Sequence, residues 1–249
     1  MSKAVILAGG KGTRISEETK TIPKPMIRIG DKPILHHIMD SYIAQGLNEF
    51  IIPVGYKSEI IIGYFLGIPN YFVDHHSGFM NIGLGNCLVT IVNSGKETQT
   101  GGRLKRIEEF IDDDFFFTYG DGLADLDLHK VMKKHKDVRA VATISAVRPS
   151  PRFGSLLFDG NGKIADFGEK QEHLRGWING GLAAMSPEIF SYISGDDVNL
   201  EKDIYPFLAY RDKMYAVEHN GFWLCVDTIR DLEEIESVYN DRGAIWVKQ

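Results

Sequence analysis

A glycine-rich turn follows the first apolar run of the chain and constrains its fold more than any other feature. Residues 4–8 form a short apolar stretch, typical of a buried strand, and Gly9, Gly10 and Gly12 follow it with Lys11 between them. Glycines allow backbone N–H groups to approach an anion closely, and basic side chains neutralise that anion. In open α/β folds, such a turn is where nucleotides bind. The spacing matches neither a P-loop nor a Gly-x-Gly-x-x-Gly fingerprint, so a tight loop without a ligand stays open as the alternative.

A lysine framed by two prolines is the second unusual feature. Lys24 stands between Pro23 and Pro25. Each proline fixes its own φ and stiffens the segment. Such rigidity indicates a lysine that must be held in place, and together with the glycine turn it favours binding of a phosphate.

Composition limits the class of protein. The chain has 249 residues, of which 43% are hydrophobic, and a net charge of −6. These values predict one domain over residues 1–249 and disfavour a non-specific nucleic-acid binder. No apolar run is long enough to cross a membrane. Cys87 and Cys225 lie far apart in apolar surroundings, so we expect free thiols and a reducing, cytoplasmic location.

Apolar runs alternate with amphipathic stretches through the first part of the chain. The alternation predicts an α/β fold, a three-layer Rossmann-like arrangement with a mostly parallel sheet covered on both faces. Predicted strands are 4–7, 49–54, 88–93, 114–118, 140–147 and 180–185, with a hairpin at 155–158 and 164–167. Predicted helices are 33–44, 57–66, 101–110, 127–136, 187–194, 228–239, and 200–210 with a bend near Pro206. We expect residues 1–150 to bind nucleotide, and the less regular residues 151–249 to form an acceptor-binding extension.

Two aspartates follow apolar runs. Asp121 lies between Gly120 and Gly122 directly after a predicted strand, where α/β folds bind ligands, and a carboxylate beside a phosphate suits Mg²⁺. A simple turn aspartate is the alternative. Asp227 follows residues 222–226 and precedes a helix, so on its own it is better explained as a helix cap.

Further motifs extend from the first strand to near the C-terminus. Besides the glycine turn through Arg14 and the segment around Lys24, they comprise Ile29-Gly-Asp-Lys-Pro-Ile34, Thr100-Gly-Gly-Arg-Leu-Lys-Arg106, Phe117-Thr-Tyr-Gly-Asp-Gly122, Ala124-Asp-Leu-Asp127, Arg152-Phe-Gly154, Ile178-Asn-Gly-Gly181, Gly221-Phe-Trp223 and Asp227-Thr228. In these motifs the chain resembles the sugar-phosphate nucleotidyltransferases, and within them it is most similar to the glucose-1-phosphate cytidylyltransferases.

The resemblance implies a role for individual residues. Lys24, Arg14 and Asp121 would be catalytic, and Asp121 and Asp227 would bind Mg²⁺. The implied nucleotide-binding residues are Leu7, Ala8, Gly9, Gly10, Lys11, Gly12, Thr13, Arg14, Lys24, Gly102, Arg103, Tyr119 and Gly120. The implied acceptor-binding residues are Glu169, Lys170, Asn179 and Gly180. Arg14 and Lys11 would hold the triphosphate, with Lys24 at the reacting phosphate.

The resemblance also implies a reaction. CTP and a phosphorylated sugar, glucose 1-phosphate first among them, would give a CDP-sugar for surface polysaccharides and pyrophosphate, in a homo-oligomer. A polyol phosphate acceptor is one alternative, because Gln171 replaces a family proline and residues 71–86 look shortened. The other is a non-catalytic nucleotide sensor, which the presence of Lys24, Asp121 and Asp227 disfavours.

Overall fold

Parallel strands at the centre of one large sheet organise the molecule. The computed structural model describes residues 2–10, 12, 21–69, 72–149, 155–168 and 176–248. Strands β1 to β15 are, in chain order, Ala4–Leu7, Arg28–Ile29, Lys32–Pro33, Glu49–Val54, Phe72–His75, Phe79–Leu84, Cys87–Asn93, Phe115–Tyr119, Gly122–Ala124, Ala142–Val147, Ser155–Phe158, Ile164–Gly168, Ile178–Met185, Met214–His219 and Trp223–Cys225. Helices α1 to α6 are Ile34–Ile43, Ser58–Leu66, Thr100–Lys105, Leu128–Val138, Tyr205–Tyr210 and Ile229–Arg242.

The main sheet is mixed in direction. Within the described residues it has nine strands in the order β14-β10-β13-β8-β1-β4-β7-β6-β5. The central strands β8, β1, β4 and β7 are parallel to one another, and β10 is parallel to β14. Strand β13 is antiparallel to both β8 and β10, and β6 is antiparallel to both β5 and β7. The predicted α/β, Rossmann-like fold is confirmed, with antiparallel strands added where no helix crosses over between neighbours.

Side chains from the central strands enter two separate cores, one on each face of the sheet. Ile6 and Phe116 are buried on the face covered by α1, α2, α4 and α6. Val5 and Phe117 are buried on the opposite face, under α3 and α5. Alternation along β1 and β8 therefore produces the three layers that the apolar runs predicted.

Several elements differ from the sequence prediction. The helix expected over 101–110 ends at Lys105, and a 3₁₀ turn at Glu108–Phe110 follows. The helix expected over 200–210 is a π-helical turn at Leu200–Ile204 joined to α5, because Pro206 has no N–H to donate to the preceding turn. Only 3₁₀ structure forms at Pro187–Tyr192.

Three strands of the main sheet were not predicted. Strands β5 and β6 form a hairpin within residues 71–86, and β14 pairs with β10. The β6–β7 turn depends on Gly85, whose φ of +57° suits a glycine. Polar residues in these three strands, together with a glycine in β6, hide the period-2 pattern that identifies a strand.

The helices are short relative to a bilayer. Among those in the described part of the chain, none is both long and apolar enough to cross a membrane.

We predict that residues 1–150 and 151–249 unfold as one cooperative unit, because β13 pairs with β8 and places Ala183 opposite Phe117. Phe117→Ala should lower the free energy of unfolding by about 3–5 kcal/mol. All three tryptophans lie after residue 150, so tryptophan fluorescence reports on the second half and on its contacts with the first, such as Trp246 against His37. Far-ultraviolet circular dichroism reports on the whole chain. Both signals should shift together in urea unfolding.

The control for this experiment is Phe158→Ala. Phe158 is 61% exposed, so its loss should change stability by no more than about 0.5 kcal/mol. A tryptophan transition that Phe117→Ala leaves unchanged would show that the halves fold separately.

Candidate active site

The turn after β1 and the turn after β8 meet at the carboxyl edge of the sheet. The two strands are parallel, with Leu7 opposite Tyr119, and the N–H of Gly120 donates to the carbonyl of Leu7 at 3.0 Å. A Cβ at Gly120 would lie 2.8 Å from Pro25 Cγ, so the glycine allows the proline-framed segment to pack against the end of β8. This contact carries Lys24 to the edge of the sheet.

The small sheet formed by β9 and β15 brings Asp227 to Asp121. Cys225 pairs with Gly122, and the N–H of Val226 donates to the carbonyl of Asp121 at 2.9 Å. Helix α6 begins immediately afterwards, and its cap is Thr228.

A capping box explains why the Asp227 side chain does not cap α6. Thr228 accepts from the N–H of Asp231, and the Asp231 carboxylate accepts from the N–H groups of Asp227 and Thr228. The cap expected of Asp227 from its position alone is therefore made by its neighbours, and its carboxylate contacts Lys24. Asp127 caps α4 instead, since its side chain accepts from the N–H of Lys130 at 2.9 Å.

Lys24 bridges the two aspartates. Its Nζ lies 2.7 Å from Asp121 Oδ2 and 2.5 Å from Asp227 Oδ1, and the lysine is 7% exposed. Burial opposes the charged ammonium, but the two carboxylates more than offset it, so the pKa of Lys24 is raised above its ordinary value. The formal charges of the two carboxylates and the ammonium sum to one negative charge.

A cavity of about 270 Å³ opens beside this trio. The predicted site residues that line it are Leu7, Gly9, Gly10, Gly12, Lys24, Arg103, Tyr119, Gly120, Asp121 and Asp227. Ala8 is buried and is not among the lining residues. Lys11, Thr13 and Arg14 lie outside the described residues. Residues far apart in sequence thus share one cavity.

Arg103 forms the floor of the glycine turn. Its guanidinium donates to Ser94 Oγ at 2.9 Å and to the carbonyls of Gly95 and Lys96 at 2.6 and 3.2 Å. A Cβ at Gly9 would lie 2.1 Å from Arg103 Nη1, so only glycine fits over the guanidinium. Arg103 holds the loop 94–96 in place, and it also lines part of the cavity.

The start of α3 contributes in a way that the sequence did not predict. Gly102 packs on the backbone of Asp196 and is not among the cavity-lining residues. Thr100, to which the sequence analysis gave no role, lines the cavity and donates to Glu201 at 2.9 Å. Tyr119 donates to the same carboxylate, and burial is the main cause that raises the pKa of its hydroxyl.

Asn179 and Gly180 lie on β13, the strand that pairs directly with β8. The Asn179 carboxamide accepts from the N–H of Gly181 at 2.9 Å, and the indole of Trp223 donates to the Gly180 carbonyl at 2.8 Å. Neither residue lines the cavity of the trio, although both sit at the same edge of the sheet.

An arginine stacked on a tryptophan continues this edge. Arg148 follows β10 and lies 4.0 Å above the ring of Trp177, just before β13. The expected acceptor residues Glu169 and Lys170 lie outside the described residues. No motif in the sequence marked Arg148 or Trp177.

Cys225 was expected to be an ordinary buried thiol, but it lies inside the site. Its Sγ and one carboxylate oxygen each of Asp121 and Asp227 are all within 4.8 Å of one another. Burial and the carboxylate of Asp121 raise the pKa of the thiol. No local pattern could have revealed it, because the thiol reaches Asp121 through the pairing of β15 with β9, with Cys225 opposite Gly122.

Comparison with known proteins agrees with this geometry. Residues 3–242 match the model of the nucleotidyl transferase family. The chain is 42% identical over 257 aligned residues to the glucose-1-phosphate cytidylyltransferase of Salmonella typhi, covering 98% of each chain. It is 38% identical to a probable glucose-1-phosphate cytidylyltransferase of Bacillus subtilis, again covering 98% of each.

The chain belongs to the nucleotidyl transferase family. Its fold matches the crystal structure of HddC from Yersinia pseudotuberculosis with a TM-score of 0.72 and 26% identity, over 96% of this chain and 100% of that one. HddC has also been solved complexed with GMP-PN.

The site suits the chemistry of a nucleotidyl transferase. Backbone N–H groups of a glycine turn and a buried ammonium can neutralise phosphate oxygens without a covalent intermediate. Asp121 and Asp227 already share one cation, and ionised carboxylates accept from several partners at once, so the pair fits a divalent metal.

We predict that Lys24→Gln lowers the free energy of unfolding by about 1–3 kcal/mol near neutral pH, because Asp121 and Asp227 would face each other without a shared cation. The folded-state pKa of Lys24 is raised, so this contribution is complete below the ordinary lysine value of 10.5 and is lost as pH rises through the higher folded value. Urea unfolding of both proteins across this range measures it.

Lys133→Gln is the matched control. Lys133 is 76% exposed and pairs with Asp137 on the surface of α4, so its loss should cost no more than about 0.5 kcal/mol. A Lys24 contribution that already declines below about pH 9 would contradict the raised pKa.

Proposed function

We propose that this protein transfers a cytidylyl group from CTP to the phosphate of a sugar phosphate, with glucose 1-phosphate as the acceptor. The products would be CDP-glucose and pyrophosphate. The observation that carries the reaction type is the buried Lys24 held between Asp121 and Asp227 in the wall of a cavity beside a glycine turn. The base and the acceptor are supported by the 42% identity over 98% of the Salmonella typhi cytidylyltransferase.

The triphosphate of CTP would lie on the turn after β1. Gly9, Gly10 and Gly12 line the cavity, and glycine backbones admit phosphate oxygens closely. Lys11 and Arg14 would neutralise the β- and γ-phosphates. The complex of HddC with GMP-PN supports a nucleotide site in this fold.

Attack on the α-phosphate requires no protein nucleophile. The acceptor's phosphate oxygen is already anionic near neutral pH, and pyrophosphate leaves. Negative charge grows on the non-bridging oxygens of the α-phosphate, and the ammonium of Lys24 would be placed to meet it. Pro23 and Pro25 fix the backbone around Lys24, so little reorganisation is needed at the moment of reaction.

Asp121 and Asp227 would hold a divalent metal, which we propose is Mg²⁺. Carboxylate oxygens beside phosphates are the ligands Mg²⁺ prefers, and the trio's residual negative charge favours a cation. When bound, the ion would neutralise phosphate oxygens of both substrates. In its absence Lys24 keeps the two carboxylates together, so the ligands are already assembled.

The acceptor would lie along β13, with Glu169, Lys170, Asn179 and Gly180 as its contacts. This edge of the sheet adjoins β8, so a small sugar there could reach the cavity of the trio. The homo-oligomer implied by the resemblance stays a prediction, which sedimentation velocity of the full chain would test.

We predict that the two aspartates and Lys24 are essential for turnover but not for folding. Asp121→Asn and Asp227→Asn should remove nearly all pyrophosphate release from CTP and glucose 1-phosphate, and Lys24→Met should slow it about 10²-fold or more, since each group meets charge on phosphates. Circular dichroism should show a retained fold.

Exposed residues of the same types provide the controls. Asp112→Asn and Lys133→Met should keep wild-type rates, because both side chains are largely exposed surface partners in ion pairs. Wild-type rates from Asp121→Asn or Asp227→Asn would refute the metal assignment.

We predict that Asn179 acts on the acceptor and not on the nucleotide. Asn179→Ala should raise the KM for glucose 1-phosphate several-fold and leave the KM for CTP unchanged, because a lost hydroxyl contact affects only the substrate that makes it. Steady-state kinetics with each substrate varied in turn measures this. Asn240→Ala, at an exposed asparagine on α6, should change neither constant.

Substrate panels test the remaining choices. CTP should be preferred over UTP, GTP and dTTP. A polyol phosphate with kcat/KM orders of magnitude above that of glucose 1-phosphate would overturn the sugar acceptor, and no turnover with any pair would favour a nucleotide sensor.

A further inference from the structure

A thiol lies beside the two proposed metal ligands. Cys225 and Asp227 are two residues apart and are drawn together by a tight turn, in which the N–H of Asp227 donates to the Cys225 carbonyl at 3.1 Å. Gly122, opposite Cys225, carries no side chain to separate the thiol from Asp121. The Cys225 Sγ and one oxygen of each carboxylate lie within 4.8 Å of one another. Three potential ligand atoms from two distant parts of the chain thus converge.

Hard and soft cations would use these atoms differently. Mg²⁺ takes oxygen ligands and keeps several waters, so it gains nothing from the thiol. Zn²⁺ and Cd²⁺ prefer thiolate sulfur, and Zn²⁺ accepts carboxylate oxygen as well. Around one tetrahedral Zn²⁺, with Zn–S near 2.3 Å and Zn–O near 2.1 Å, ligand atoms lie roughly 3.5 Å apart. The distances between the sulfur and the two carboxylate oxygens would need to shorten by only about an ångström.

We propose that Asp121, Cys225 and Asp227 form a binding site for soft divalent cations, Zn²⁺ or Cd²⁺, that overlaps the magnesium site and blocks it. This inference rests on the proposed function only in that Asp121 and Asp227 are taken as the Mg²⁺ ligands. On binding, a metal–sulfur bond forms, the thiol proton passes to solvent, and no electrons are transferred. The ion also competes with the Lys24 ammonium for both carboxylates.

The first test uses Cd²⁺ alone and requires no activity. Titration of the purified full chain should produce the ultraviolet charge-transfer band of a cadmium–thiolate bond at one equivalent. Cys225→Ser should abolish the band, and Cys87→Ser should keep it. Cys87 is the other free cysteine of the chain, also half-buried, which makes it a matched control.

The second test separates the shared site from a separate thiol site. Asp121→Asn and Asp227→Asn should each weaken Cd²⁺ binding at least about 10-fold while Cys225 remains. Even the loss of a residue that only hydrogen-bonds to a metal ligand lowers metal affinity by that factor. Mg²⁺ should compete with Cd²⁺ for the wild-type protein. An unchanged affinity in both variants, or a band that survives Cys225→Ser, would overturn the proposal.

Activity supplies an independent arm. With Mg²⁺ present, Zn²⁺ should inhibit the wild type at concentrations at least about 10-fold lower than it inhibits Cys225→Ser or Cys225→Ala. Equal sensitivity of all three would contradict a blocking role for Cys225.

If no nucleotide is turned over, the proposed function fails, and the Cd²⁺ titration still decides the metal site. Thermal unfolding checks that each variant is folded, and the Cys225→Ala variant replaces Cys225→Ser in the titration if the serine variant is not.

Discussion

The ion pairs of Lys24 with Asp121 and Asp227 are the interaction on which the rest of the site depends. A lysine that is only 7% exposed would be costly without them, and two carboxylates this close would repel each other without the lysine. Each charge therefore makes the others tolerable. The same arrangement gives the cavity a cation for phosphate oxygens and a pair of oxygen ligands for a metal, so the assembly that stabilises the site also prepares it for chemistry.

The fold explains how such distant residues meet. Parallel pairing of β1 with β8 brings two turns to one edge of the sheet, and the short β9–β15 ladder carries Asp227 beside Asp121. Close packing fixes the details, because a side chain at Gly120 would clash with Pro25, and one at Gly9 would clash with the Arg103 guanidinium. The paths of the backbone segments, rather than the lengths of flexible side chains, therefore set the distances between the functional groups of the site.

The sequence predicted those parts of the molecule that depend on local pattern. Apolar runs located β1 and β4 at their observed bounds, and motifs located Lys24 and Asp121 in the cavity wall. Long-range pairing has no local signal. The edge strands β5 and β6 and the convergence of Cys225 on the aspartates depend on which segments pair in three dimensions. The thiol is the clearest case, since its surroundings in sequence are apolar and its surroundings in space are charged. The capping box of Thr228 and Asp231 is, by contrast, a local pattern that the sequence prediction missed.

The most direct measurement of the central claim is a crystal structure of the protein soaked with Mn²⁺ and CDP-glucose, with anomalous scattering to locate the metal. The strongest anomalous peak should lie between Asp121 and Asp227, with the Lys24 ammonium hydrogen-bonded to an oxygen of the α-phosphate. A peak elsewhere, or a Lys24 that still bridges both carboxylates while the diphosphate lies out of its reach, would contradict the assignment of this trio as the reacting centre.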